Sequence, residues 1–177
     1  MFIHKVLMRK FLVLILLLCP FALAQESPGL GVPASPEEVA GWDISIGPEG
    51  ENLPAGSGTV AQGASIYAVQ CFACHGPNGE GATNDRLAGG HGSLETANAR
   101  KTVGSYWPYA TTVFDYVRRA MPFQQPGSLN DGEVYALTAY LLNINGIVDE
   151  ATVLNAETLP TIEMPNRDGF IWSSEVR

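Results

Sequence analysis

Residues 71–75 read Cys-Phe-Ala-Cys-His, and no other stretch restricts this chain so tightly. Cys71 and Cys74 stand three apart, with His75 directly after them. The one other cysteine, Cys19, lies in an opening segment laid out like a secretory leader. There Lys5, Arg9 and Lys10 precede an unbroken apolar run over residues 11–18, and Ala22-Leu23-Ala24 forms a small-x-small cleavage site. The run falls short of the roughly 20 apolar residues that a membrane span needs. The expectation is therefore a signal peptide over residues 1–24, cleaved after Ala24, with no stable span afterwards and a periplasmic destination. Cys19 follows two leucines, not the small residue a lipoprotein signal requires, and it leaves with the leader. An exported chain that keeps two neighbouring cysteines has no disulfide framework to hold it together. Those two thiols need another use.

The surroundings say which. Val60, Ala64, Tyr67 and Cys71 recur at helical spacing, so the first cysteine ends a helix on its core-facing side. Gly63 sits beside that face, where a missing side chain lets another helix come close. Residues 76–110 follow neither helical nor strand periodicity, and a connection of that length inside a small domain calls for something to wrap. C-x-x-C-H is the attachment pattern for c-type haem: each thiol adds to one vinyl group, and the adjacent imidazole is held under the iron. Three other uses compete. A structural zinc site needs four ligands, and Cys71, Cys74, His75 and His91 would supply the count. A thiol–disulfide oxidoreductase would set C-x-x-C at a helix start after a strand, which this pattern does not show. A plain local disulfide would leave the histidine without a role.

For a second axial ligand the sequence offers Met121, Met164 and His91. Met121 lies in Arg-Arg-Ala-Met-Pro-Phe, after a short helical stretch over residues 111–120 and before a longer one. Asn130 caps that longer helix, with Glu133 three residues on. Val134, Leu137 and Leu141 form its buried stripe, and Asn145-Gly146 stops it. Met121 is the ligand this order favours. Met164 also precedes a proline, and His91 sits between glycines in a surface-like turn, so both stay in view.

The stretch Gly63-x-x-x-Tyr67-x-x-x-Cys71-Phe-Ala-Cys-His-Gly76, with Met121 and the Ala139-Tyr140-Leu141 helix, resembles the class I cytochromes c. That resemblance implies a mainly α fold of helices around one covalent haem c. It also implies that Gly63 and Tyr67 meet the helix over residues 134–142 where first and last helices cross. Haem would be held by Cys71, Cys74, His75 and Met121, with the iron between His75 and Met121. Over residues 42–170 the chain also resembles the cytochrome subunit of Sox-type sulfane (sulfur) dehydrogenase and haem partners of molybdenum sulfite dehydrogenases. This implies a molybdopterin sulfur dehydrogenase subunit as electron donor and a downstream cytochrome or oxidase as acceptor, with no catalysis by this chain. Some members carry a second haem module; this chain has a single C-x-x-C-H. Within the same resemblance Leu87 falls where such cytochromes pack a loop on the ring. Tyr106, Trp107 and Tyr109 would wall the haem, hydrogen-bond a propionate or serve as ordinary core aromatics. Arg86, Arg118 and Arg119 would offset propionate charge or, the favoured role for each alone, sit solvated at the surface.

Outside the leader, residues 25–57 are rich in Pro and Gly and read as an N-terminal strap. One short helix interrupts it, with Ser35 as cap, Pro36 at its first position and Glu38 closing a capping box. Residues 58–146 form the cytochrome domain and 147–177 a C-terminal strap. The whole chain has ten Lys and Arg against eighteen Asp and Glu; losing three with the leader leaves seven against eighteen, a net charge of −11. That balance argues against nucleic acid and anionic membrane surfaces as partners, and it suits a basic protein face. A general soluble electron carrier fits the same facts.

Overall fold

The computed structural model describes residues 29–171 and 173. The expected leader lies outside the described residues. The chain divides between Trp42 and Asp43. Upstream is helix α1, Pro36–Trp42. Its start follows the expected box: Ser35 Oγ accepts from Glu38 N at 3.2 Å, and the Glu38 carboxylate accepts from Ser35 N at 2.8 Å. None of its residues is buried.

From Asp43 onward come strand β1 (Ser57–Thr59), helices α2 (Val60–Gln70), α3 (Phe72–His75), α4 (Ala110–Ala120) and α5 (Asp131–Asn143), strand β2 (Val153–Asn155) and a 3-10 turn (Leu159–Thr161). The fold is mainly α, as expected, and residues 76–109 hold neither helix nor strand. Asn130 and Glu133 cap α5 reciprocally. Helix α2 carries the same device in Thr59 and Gln62, which sequence reading passed over.

Helices α2 and α5 cross in close contact. A Cβ on Gly63 would lie 2.6 Å from the Ala136 carbonyl carbon and nearer still to its oxygen; one on Gly58 would lie 2.7 Å from Ala136 Cβ. Two glycines thus let backbone meet backbone over a single alanine. Tyr67 and Tyr140 pack at a tilt beside the crossing with ring centroids 5.0 Å apart, and Phe114 of α4 meets Tyr135 at 4.5 Å. The expected stripe of α5 is buried, and so are Tyr135, Ala136, Thr138, Ala139 and Leu142. Helix α5 is enclosed nearly all round, and so lacks a clean one-sided pattern.

Both flanking segments of this unit enter the core. Ile46 is buried, and its N–H donates to Asp115 Oδ1 at 3.0 Å. Thr111 Oγ1 donates to the Pro48 carbonyl at 3.0 Å, and the Tyr135 hydroxyl to that of Pro54 at 2.9 Å. At the other end β2 pairs antiparallel with β1, Gly58 opposite Leu154, and Leu154, Leu159 and Met164 are buried. Each strand has three residues, too few to show a period of two.

Burial pushes the Tyr135 hydroxyl from its ordinary 10.0 up to about 12, with Asp131 adding to the rise and Arg118 opposing it. The unfolded chain releases that proton near pH 10 and the folded chain near pH 12, so stability falls as pH climbs between them. The loss approaches about 2–3 kcal/mol at pH 12. Urea unfolding of Tyr135→Phe should show a weaker starting stability, for want of the Pro54 bond, and a shallower alkaline decline than wild type. An equally steep decline would show that this tyrosine does not carry it.

Candidate functional site

Cys71 caps the end of α2, donating its N–H to the Tyr67 carbonyl at 2.9 Å. The chain then re-enters a helical turn, and the N–H groups of Cys74 and His75 both donate to the Cys71 carbonyl, at 3.1 and 3.0 Å. This turn sets residues three and four apart on one side. Cys71, Cys74 and His75 accordingly line a single cavity of about 510 Å³. Met121, the C-cap of α4, lines the same cavity. Neither rival ligand does. Met164 is buried in the core, and His91 is exposed, its ring standing over Gly104.

His75 Nδ1 lies 2.7 Å from the Asp85 carbonyl oxygen. A carbonyl only accepts, so Nδ1 carries the proton and Nε2 is left with its lone pair free to ligate. The acceptor is placed by backbone bonds: Gly81 N to the His75 carbonyl at 2.8 Å, and Asn84 N to that of Cys74 at 2.9 Å. Farther along, Asn145 fastens the loop to the end of α5. Its Nδ2 donates to the carbonyls of Leu87 (3.1 Å) and Leu141 (2.8 Å), while Oδ1 accepts from Gly89 N at 3.0 Å. Leu87 and Leu141 both face the cavity.

The remaining wall is mostly apolar, with Val113 and Val117 of α4, Leu137 of α5 and Trp107 among its members. Of the expected wall residues, Leu87 and Trp107 line it; Tyr106 instead packs on Phe170, and Tyr109 lies under Arg167. Of the expected counter-charges, Arg86 is in the wall, whereas Arg118 pairs with Asp131 and Arg119 with Asp115. Lys101 joins the wall and was missed, as were Val113 and Val117. Their spacing of four on a predicted helix was a usable signal; Lys101, in an aperiodic loop, offered none.

The donor set fits a c-type haem: two thiols, an imidazole with a free Nε2, a thioether and apolar walls around them. It suits the other uses less well. Burial, helped by Cys74, pushes the Cys71 thiol up from 9.0 to about 11, away from the thiolate that dithiol exchange needs. Among the described residues no three His, Cys, Asp or Glu side chains converge as a metal site would require.

The Cytochrome c family profile matches residues 60–145. One chain of the crystal structure of the sulfane dehydrogenase SoxCD from Paracoccus pantotrophus superposes with a TM-score of 0.79 at 43% identity, covering 85% of this chain and 75% of that one. The chain belongs to the cytochrome c family. Membership makes it an electron carrier and implies covalently bound haem c. The likeness to SoxCD reaches beyond the cytochrome core: Asp43–Arg177 is 135 of the 177 residues, or 76%, and the match covers 85%. It therefore extends upstream of Asp43. Two thiosulfate dehydrogenases are also similar. That of Stutzerimonas stutzeri is 29% identical over 119 residues, 66% of this chain and 32% of its own length. That of Psychrobacter arcticus is 27% identical over 112 residues, 57% and 32%. The cytochrome thus spans about a third of the length of these curated relatives. Among the described residues no helix is long and apolar enough to cross a membrane.

Proposed function

We propose that this cytochrome is a periplasmic, mono-haem electron acceptor for a molybdenum-dependent dehydrogenase of sulfur compounds. In this reading Cys71 and Cys74 would anchor the haem through thioethers, and His75 and Met121 would ligate its iron. The observation that carries the reading is the lining of a single cavity by these four side chains, 50 residues apart at the extremes. The relatives' names, all sulfur-compound dehydrogenases, support the class of donor.

Haem, when bound, supplies storage for one electron. The chain's own residues set how readily that electron is held. The Asp85 carbonyl keeps His75 in one tautomer and orientation. Met121 offers soft sulfur, which favours the reduced state and raises the potential. Leu87, Val113, Val117 and Leu137 exclude water and keep the surroundings apolar. With His75 and Met121 both committed to the iron, no coordination site would remain for a substrate, so bond chemistry would belong to the partner. A two-electron sulfur oxidation must reach this chain in single-electron steps.

The test has two parts. Intact mass and thiol titration of the exported protein should show one haem per chain and no free thiol. Stopped-flow mixing with a molybdenum sulfite or sulfane dehydrogenase and its substrate should then reduce the cytochrome, faster at low ionic strength. A haem-bearing chain that stays oxidised there, but is reduced by a dehydrogenase of another substrate class, would overturn the sulfur assignment and leave the carrier role standing.

A further inference from the structure

The segment before Asp43 has an unusual surface. Leu30, Val32, Val39 and Trp42 all lie within 13 residues and all are exposed, Trp42 by 90%. Scattered exposed apolar residues are ordinary; four in so short a run are a binding signal. Val39 and Trp42, three apart on α1, share one helix face. A seven-residue helix has little stability of its own even with its capping box, and gains most from a surface that covers that face.

Charge decides what that surface is. From residue 11 to residue 85 the chain has no Lys or Arg, whereas residues 25–85 hold eight acidic side chains, Glu37, Glu38 and Asp43 among them. An anionic lipid surface would repel this stretch, and a second copy at net charge −8 is no better host. The complementary partner is a protein face with an apolar groove rimmed by Lys and Arg. The likeness to a solved SoxCD chain also runs upstream of Asp43 into this segment.

We infer that residues 29–42 are a docking arm, laying Val39 and Trp42 into a basic-rimmed apolar groove on the electron-donating dehydrogenase subunit. The inference rests on the donor proposed above. The arm holds the two proteins together while the haem domain exchanges electrons, and it adds effective concentration to a small contact.

The experiment uses the full-length holo-cytochrome and a molybdenum-dependent sulfur dehydrogenase subunit from the same organism. Size-exclusion co-elution and titration calorimetry give the affinity, and stopped-flow gives the reduction rate at dilute and saturating cytochrome. Val39→Glu/Trp42→Glu should raise Kd by about thirtyfold or more, as loss of an aromatic anchor does, with the haem spectrum and saturating rate unchanged. Hydrogen exchange over residues 36–42 should slow on complex formation in wild type. If the variant binds as tightly as wild type, or residues 36–42 gain no protection, the arm does not dock there. The same holds if the arm instead drives self-association or binding to anionic vesicles. If wild type is neither bound nor reduced, the donor assignment fails first and takes the arm's partner with it. Reduction with unchanged variant affinity removes the arm alone.

Discussion

Gly63→Ala should destabilise the folded cytochrome by about 3 kcal/mol, although alanine is the better helix former. In an open helix the change would gain roughly 1 kcal/mol. Here the added carbon lands on the backbone of Ala136, 2.6 Å from its carbonyl carbon and 2.7 Å from Tyr140 Cβ. Backbone in the middle of a buried helix cannot rotate aside as a side chain can. Helix α2 must back away, loosening Val60 and Tyr67, both buried on the same face. Overpacking of this kind commonly costs about 1–3 kcal/mol and more when the backbone must move. Gly41→Ala is the control: it is helical, its φ is not in the left-handed region, and nothing lies within 4 Å of the new carbon. Urea unfolding should find Gly41→Ala no less stable than wild type. A Gly63→Ala protein of wild-type stability would mean that the two helices leave room for a side chain at their crossing.

Met121→Ala and Met164→Ala should separate cleanly, each changing what the other leaves alone. Met121 faces the cavity that holds His75, so its loss should remove the weak near-infrared band of ferric haem bound to sulfur and lower the reduction potential. Ferrous Met121→Ala should also bind carbon monoxide quickly, since the iron would lose the thioether that Met121 would supply. Met164 is 4% exposed in the core formed with Leu154 and Leu159. Its truncation should cost about 2–5 kcal/mol and leave the band in place. The reverse result, with the band lost in Met164→Ala, would transfer the ligand role to the C-terminal segment.

How much of this was legible in the sequence depends on how local the cause was. The turn carrying Cys71, Cys74 and His75 and the Asn130–Glu133 cap are set by neighbours within a few residues, and both read out directly; Gly63 was legible as a break in a helical face, though its cause, Ala136, lies 73 positions away. The burial of Ile46 and Leu154 did not read out. Each is a single apolar residue in an aperiodic segment. Ile46 is held by a carboxylate 69 positions away, and Leu154 by a three-residue strand pair. Arg118 and Arg119 show the same limit from the polar side. Sequence left them between the haem and the solvated surface, while Asp131 and Asp115 claim them in space. The ligand set fell between the extremes. The cavity brings together two segments nearly 50 residues apart, and the resemblance to a known family joined them where periodicity was silent.

The partner of His75 is a main-chain oxygen, and that has a consequence for how the protein tolerates change. Any residue at position 85 brings the same acceptor, so no point substitution there deletes it. A peptide carbonyl has no proton to gain or lose across the physiological range, so acidity cannot switch the contact off either. The imidazole's orientation is encoded in the route of the polypeptide, which makes the redox centre robust to both mutation and environment.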